Sequence, residues 1–206
     1  MHVSIGTNRT NGIGKIIKSN SHIDYVCQVH GRGEVAEPPT PEEYALGSWV
    51  AFEAGSAPGS RAVGLVYDTQ LYNPDYGLFG PRLSSRSQLE VFSPDYLNET
   101  AMLLGIVVVG QLTAGVRTAG GLCPVAAQVG AVVERIGPAE IRAFHSNGSK
   151  LEMSYYNLLL SLGEPILPPL VLHVLGGLEE ILPEHARALN ALRTTLSWKT
   201  RVDSVR

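Results

Sequence analysis

Two short apolar stretches decide the fold: residues 46–52 read LGSWVAF, and residues 61–67 read RAVGLVY. Both are rich in β-branched and aromatic residues, and the loop between them contains two glycines and a proline. Two such runs joined by a Gly/Pro/Ser loop predict an antiparallel hairpin. Gly47 and Gly64 indicate tight bends of the kind that a small closing barrel requires. The sequence therefore predicts a β-barrel centred on this hairpin.

Further strands are predicted on both sides of the hairpin. Residues 14–19 and 23–29 form an earlier pair, and the β-branched run at 101–112 forms a buried strand. Alternating apolar residues continue a β pattern from 125 to 133. Residues 68–83, in contrast, are rich in tyrosine, glycine and proline and suit no regular element. Long irregular segments of this kind are typical of functional or partner-facing loops.

The pattern changes to a helical one after residue 136. Gly137 and Pro138 open a short helix, because proline is favoured in the first helical turn. Residues 153–162 are predicted to form a second helix. The prolines after this segment would end the helix. Two more helices are predicted over 171–182 and 184–198. The last carries an apolar stripe with the arginines off it, made of Ala186, Leu189, Leu192 and Leu196.

These elements divide the chain into three regions. We expect a flexible leader over residues 1–13, a β-barrel over 14–136 and a mainly helical part over 137–206. The predicted fold class is β-rich α+β, with a small closed antiparallel β-barrel followed by a helical C-terminal part.

Composition favours a protein that assembles with partners. Only 17% of the residues are charged, below the usual value of about 25%, which favours an oligomer or a complex subunit. The net charge of −3 gives no general attraction to nucleic acid or to an anionic membrane. Basic residues nevertheless dominate the last twenty positions: Arg187, Arg193, Lys199, Arg201 and Arg206.

The cysteines and apolar runs predict a cytoplasmic protein. Cys27 and Cys123 have no CxxC spacing, so we expect two free, buried thiols in a reducing compartment. No signal-peptide pattern is present at the N-terminus. The apolar run at 101–112 is too short to span a bilayer. No membrane association is therefore expected.

Motifs for nucleotide, metal and serine-hydrolase chemistry do not match this sequence. Gly14-Lys15 resembles the end of a phosphate-binding loop, but Arg9 replaces its first glycine and Ile16 its hydroxyl residue. The histidines lack the HxH, HxxxH or HExxH spacing of metal ligands. No G-x-S-x-G elbow occurs. We therefore predict no catalytic residue, metal or cofactor. A divergent hydrolase remains an alternative, with Asp68, Asp75 and Asp95 as its candidate carboxylates.

Two sets of residues are candidates for binding other molecules. The irregular segment presents a possible partner-binding set of Tyr72, Tyr76, Phe79 and Arg82. Its aromatic residues would also suit base stacking with single-stranded nucleic acid. The basic C-terminal helix presents a possible nucleic-acid-binding set of Arg193, Lys199 and Arg201, although a solvated helix face explains them more simply.

Four stretches of the first 145 residues carry a resemblance to a known family. Residues 14–17 (GKII) resemble the opening strand of the HerA–ATP synthase barrel, and residues 46–50 (LGSWV) and 62–66 (AVGLV) resemble a later strand and the one that follows it. Residues 124–144 resemble that domain's later P-x-x-G-x-x-V…[DE]-I-x-x-F portion. This barrel stands at the N-terminus of HerA-type DNA-translocating ATPases.

The resemblance implies a barrel without its motor. The family's ATPase core would begin soon after residue 144, but about 60 residues with helical character stand there instead. In the family the barrel helps to assemble a ring and docks a NurA-type nuclease. We therefore expect a non-enzymatic assembly or docking module that binds itself or a DNA-processing ATPase or nuclease of the HerA/NurA type. A barrel that binds nucleic acid directly is the alternative.

Overall fold

A computed structural model describes residues 12–31, 33–55, 57–72, 101–117, 123–147 and 149–203. Nine strands lie in these ranges: β1 Gly14–Ser19, β2 Asp24–Val29, β3 Trp49–Glu53, β4 Ser60–Tyr72, β5 Ala101–Thr113, β6 Val116–Arg117, β7 Val132–Arg135, β8 Ser146–Asn147 and β9 Lys150–Leu151. The four α-helices of the same ranges are α1 Pro138–His145, α2 Tyr155–Ser161, α3 Leu167–Ile181 and α4 Ala186–Asp203. Single 3-10 turns lie at Pro41–Glu43 and Pro183–His185.

Six of the strands close into an antiparallel barrel. Their order is β2-β1-β7-β3-β4-β5, and β5 returns to pair with β2. The short strand β6 continues the sheet beyond β5 as a hairpin. The closed barrel and the helices that follow it confirm the predicted fold class. The leader predicted over 1–13 lies almost entirely outside the described residues, apart from Gly12 and Ile13.

The barrel interior is filled with apolar side chains. All six barrel strands contribute to one buried cluster, in which the rings of Tyr25 and Phe52 lie 5.2 Å apart. Both cysteine thiols belong to this cluster and are free, as predicted. Burial raises the pKa of the Cys27 thiol to about 12.

One wall of the barrel, formed by β3, β4 and β5, is buried on its outer face as well. On β3, Val50 and Phe52 point into the barrel, while Trp49 and Ala51 pack outward against the helices. The outward cluster contains residues of all four helices, including Leu175 and Leu189. Burial on both faces explains why these strands are continuously apolar and lack alternation.

Two glycines provide the tight bends that the sequence predicts. The register of β4 against β5 shifts between Val63 and Gly64. A Cβ atom on Gly64 would lie only 2.6 Å from Ile106 Cγ2, so the two strands approach too closely for a side chain there. Gly47, with φ +84°, adopts the left-handed conformation just before β3.

The helices begin and end partly where expected. Helix α1 starts at Pro138 as predicted. Helix α3, however, starts at Leu167, four residues before the predicted start at residue 171. Pro168 and Pro169 lie in its first turn, where a missing N–H costs no helical hydrogen bond. In α4 the predicted stripe is buried at Leu189 and Leu196. None of the helices in the described ranges is long and apolar enough to cross a membrane.

Two strand predictions were wrong. Strand β4 does not end near residue 67 but continues through Asp68–Tyr72, because each of these residues pairs with β5. Residues 125–131 are not a strand, and Val129 is exposed there. Gly130, with φ +90°, belongs to a turn that bonds to Ile16, so only Val132–Arg135 enter the barrel.

Replacing Leu175 by alanine should destabilise barrel and helices together. Leu175 is fully buried in the outward cluster, so the cavity should lower the free energy of unfolding by about 2–5 kcal/mol. Leu71→Ala, at a 78% exposed site, should change it by less than about 0.5 kcal/mol. Urea unfolding followed by far-UV circular dichroism and by Trp49 fluorescence, in a Trp198→Phe background, measures both. Separate transitions for the two signals would contradict a shared core.

Candidate functional site

A cleft of about 980 Å³ lies where the barrel meets the helices. Strands β3 and β7, the segment before β3, and helices α1 and α3 surround it. Its apolar lining includes Trp49, Ile136 and Ile141. Four carboxylates also line it: Glu42, Glu43, Glu134 and Glu140. An apolar floor with a charged rim is the usual composition of a protein-binding surface.

The charges of the cleft are unequal in number. Arg61 on β4 forms ion pairs with Glu134, at 3.4 Å, and with Glu140. This arginine thereby links β4 to β7 and to α1. Arg135 is the other guanidinium in the lining, so four carboxylates face two guanidinium groups. A hydrogen bond to its own backbone and one to Thr40 lower the pKa of Glu42. Among the described lining residues, negative groups therefore outnumber positive ones.

A second polar group is buried where α1 and α2 meet the barrel wall. Nδ1 of His145 donates to the Ile141 carbonyl oxygen at 2.7 Å, and Nε2 accepts from the Tyr155 hydroxyl at 2.7 Å. The edge of the ring meets Trp49 with 5.0 Å between ring centres. Burial lowers the pKa of His145 to about 4, and the charge of Arg117 adds to this effect. His145 is therefore neutral and fully hydrogen-bonded, which is typical of a structural residue.

Arg117 fastens the barrel to the helices beside this histidine. From β6 it donates to the carbonyl oxygens of Phe144 and Glu152, at 3.1 and 3.3 Å, and to Ser154 Oγ at 2.6 Å. Its guanidinium carbon also lies 4.5 Å from the centre of the Phe144 ring. These contacts join β6 to the end of α1 and to the residues just before α2, so we assign Arg117 a structural role.

The predicted partner-binding set is only partly described. Tyr72 ends β4 and is 55% exposed, next to Leu71 at 78%. Tyr76, Phe79 and Arg82 lie outside the described residues. Residues 68–72 and 101–105 form a paired segment that we call the arm. The arm begins beyond a second register shift, between Val66 and Asp68, and presents apolar side chains to solvent.

The predicted nucleic-acid-binding set is only partly described, because the side chain of Arg201 lies outside the described part of the structure. Arg193 lies 3.4 Å from a carboxylate oxygen of Glu179 and is partly buried against α3. Lys199 is exposed on α4. Arg201 lies in the last turn of the same helix. One of the three cations is thus already used within the fold.

The candidate hydrolase carboxylates are also only partly described. Asp68 lies in β4 at the register shift and accepts hydrogen bonds from the Thr69 amide and from Gln70 Nε2. Asp75 and Asp95 lie outside the described residues. In the part of the chain that the structure describes, no group of three or more histidine, cysteine or acidic residues could hold a metal ion.

The sequence analysis missed the cleft. Its carboxylates come from the turn before β3, from β7 and from α1, which lie far apart along the chain. Only the register of β3 between β4 and β7 brings Arg61 and Glu134 together. The acidic pair Glu42-Glu43 was the one local signal, and it is also typical of a short helical turn.

The fold and these surfaces define a small closed β-barrel that carries a helical layer on one wall. The family model described as "Domain of unknown function (DUF8166)" matches residues 3–206 of the chain. Because the match spans nearly the whole sequence, the protein belongs to this family. None of the curated proteins matches the chain.

The buried histidine should make stability depend on pH. An unfolded histidine titrates near 6.5, whereas His145 titrates at about 4 in the folded state. Between these values the unfolded chain binds more protons, so stability is complete above about pH 6.5 and is lost as the pH falls towards 4. From about pH 7 to pH 5 the loss should be about 2 kcal/mol.

Two variants separate this effect from other acid-sensitive groups. His145→Asn should be less stable at neutral pH but should lose most of this pH dependence. Tyr155→Phe removes the hydrogen-bond partner of Nε2 while keeping the titratable ring, so it should keep the dependence. Urea unfolding at a series of pH values measures both. An unchanged slope in His145→Asn would contradict the assignment.

Proposed function

We propose that this protein is a non-enzymatic assembly and docking module of the HerA–ATP synthase barrel type. In this proposal it acts beside a DNA-processing ATPase or nuclease of the HerA/NurA type. The resemblance of its strand sequences to that barrel motivates the proposal. Three of the similar stretches fall on or next to β1, β3 and β4, and the fourth runs through β7 into α1.

The exposed apolar arm is the observation that carries the proposal. The barrel interior is packed with side chains and one wall is covered by helices, so neither is open to a partner. Leu71 and Tyr72 stand at the end of the arm, where they are 78% and 55% exposed. Tyrosine is among the residues that provide most of the binding energy at protein interfaces, and Leu71 adds exposed apolar area beside it.

Direct nucleic-acid binding is the second candidate, and the exposed Lys199 favours it. The ion pair between Arg193 and Glu179 weakens it, since that arginine is already neutralised. A docking function needs no positive surface and agrees better with the net charge of −3.

The double variant Leu71→Ser/Tyr72→Ser should weaken docking without unfolding the barrel. We expect purified wild-type protein to bind a HerA-type ATPase or a NurA-type nuclease of its source genome in biolayer interferometry. Loss of two apolar contacts should weaken that binding at least about tenfold. Val116→Ser is the matched control, because Val116 is 68% exposed at the opposite end of β5.

Two outcomes would contradict the proposal. One is that neither class of partner binds, or that the arm variant binds as tightly as wild type. The other is salt-dependent binding to single-stranded or duplex DNA by the isolated protein, lost in Lys199→Glu/Arg201→Glu, which would establish the second candidate instead.

A further inference from the structure

We infer that the exposed basic face of α4 docks into the acidic cleft of a second copy of the chain. The inference rests on the self-assembly part of the proposed function and names the two surfaces that would meet. Neither surface includes the arm, so docking of another partner there would remain possible in the assembled state.

Helix α4 has one buried and one exposed side. Leu189 and Leu196 pack inward against the rest of the helical layer. Arg187 and Trp198 lie eleven positions apart, about three helical turns, so they project from the same line on the opposite side. Trp198 is 70% exposed, and Lys199 flanks it. We call this exposed side, with Arg187, Trp198 and Lys199, the α4 face.

The α4 face carries two cations for which no ion pair is found among the described side chains. Arg193 is paired with Glu179, whereas Arg187 and Lys199 are exposed and form no ion pair with a carboxylate whose side chain the structure describes. The exposed Trp198 adds a large apolar surface to these two positive charges. Tryptophan and arginine are the residues most enriched among those that dominate protein interfaces.

The cleft has the complementary composition. Its four carboxylates outnumber its two guanidinium groups, which makes it attractive to Arg187 and Lys199. Leu46, which is 44% exposed, lies in the lining beside Trp49 and offers an apolar surface for an indole ring. Phosphate groups would be repelled by the same carboxylates, so the cleft does not fit a nucleic acid.

A second copy is the occupant that charge complementarity selects. The exposed side of α4 is opposite the side that packs on the helical layer, so α4 cannot enter the cleft of its own molecule without leaving its core. Every copy nevertheless carries both surfaces. Two copies that each use both surfaces form a closed dimer, whereas a repeated head-to-tail contact forms a ring or a chain.

Charge-reversal variants test the two surfaces separately. Glu42→Lys/Glu134→Lys alters only the cleft, and Glu140 remains to pair with Arg61. Arg187→Glu/Lys199→Glu alters only the α4 face. In sedimentation velocity at low salt, wild type should self-associate and each variant alone should associate at least about tenfold more weakly. An equimolar mixture should restore association, because the intact α4 face of one variant meets the intact cleft of the other.

Matched controls carry the same charge changes elsewhere. Glu164→Lys/Glu180→Lys and Lys15→Glu/Lys18→Glu alter exposed residues outside both surfaces, so they should associate as wild type does. Trp198→Ala, which changes no charge, should also weaken association. Urea unfolding of each variant establishes that it is folded.

The possible failures of the inference and of the proposed function differ. A wild-type protein that stays monomeric at about 100 µM in low salt would overturn both this inference and the self-assembly part of the proposed function. A wild-type protein that associates, together with cleft and α4 variants that associate equally well, would overturn only the inference. Association lost in the charge-matched controls as well would overturn it too, since net charge alone would then explain the result.

Discussion

The burial of the β3–β4–β5 wall on both faces is the constraint on which the rest of the structure depends. Its inward side chains fill the barrel and its outward ones, such as Trp49 and Leu65, need an apolar cover. Each buried apolar side chain contributes about 1.5–3 kcal/mol, so an uncovered outer face would be costly. The four helices provide that cover, and Arg117 holds them where the wall ends. Barrel and helices therefore share one outward core.

This arrangement restricts where function can lie. A filled interior and a covered wall leave the rims of the barrel and the outer sides of the helices as binding surfaces. The arm, the cleft and the α4 face differ in chemistry: the first ends in exposed apolar side chains, the second is acidic and the third is basic with one tryptophan. Because the three are different, one small domain can present a separate surface to each kind of partner without competition between them.

Local patterns predicted the elements whose residues carry their own signals. The hairpin of β3 and β4, the buried strand β5, the proline start of α1 and the stripe of α4 all follow from apolar spacing or turn residues. Non-local pairing determined the rest. Asp68–Tyr72 join β4 only because β5 lies beside them, and the cleft exists only because β7 inserts between β1 and β3. Neither feature can be predicted from residues that are neighbours in the sequence.

The cleft shares side chains with the buried core outside the β3–β4–β5 wall. Trp49 and Ile141 belong to the outward core and also line the cleft, so the position of the helices determines the shape of its floor. The two ion pairs of Arg61 connect β7 and α1, which line the cleft, to β4, the strand that extends into the arm. A molecule bound in the cleft therefore contacts residues of the outward core, to which Leu65 of β4 also belongs. Because packed cores deform little, loosening of the helical layer should disturb both surfaces, whereas substitutions on the exposed ends of the arm should disturb only one.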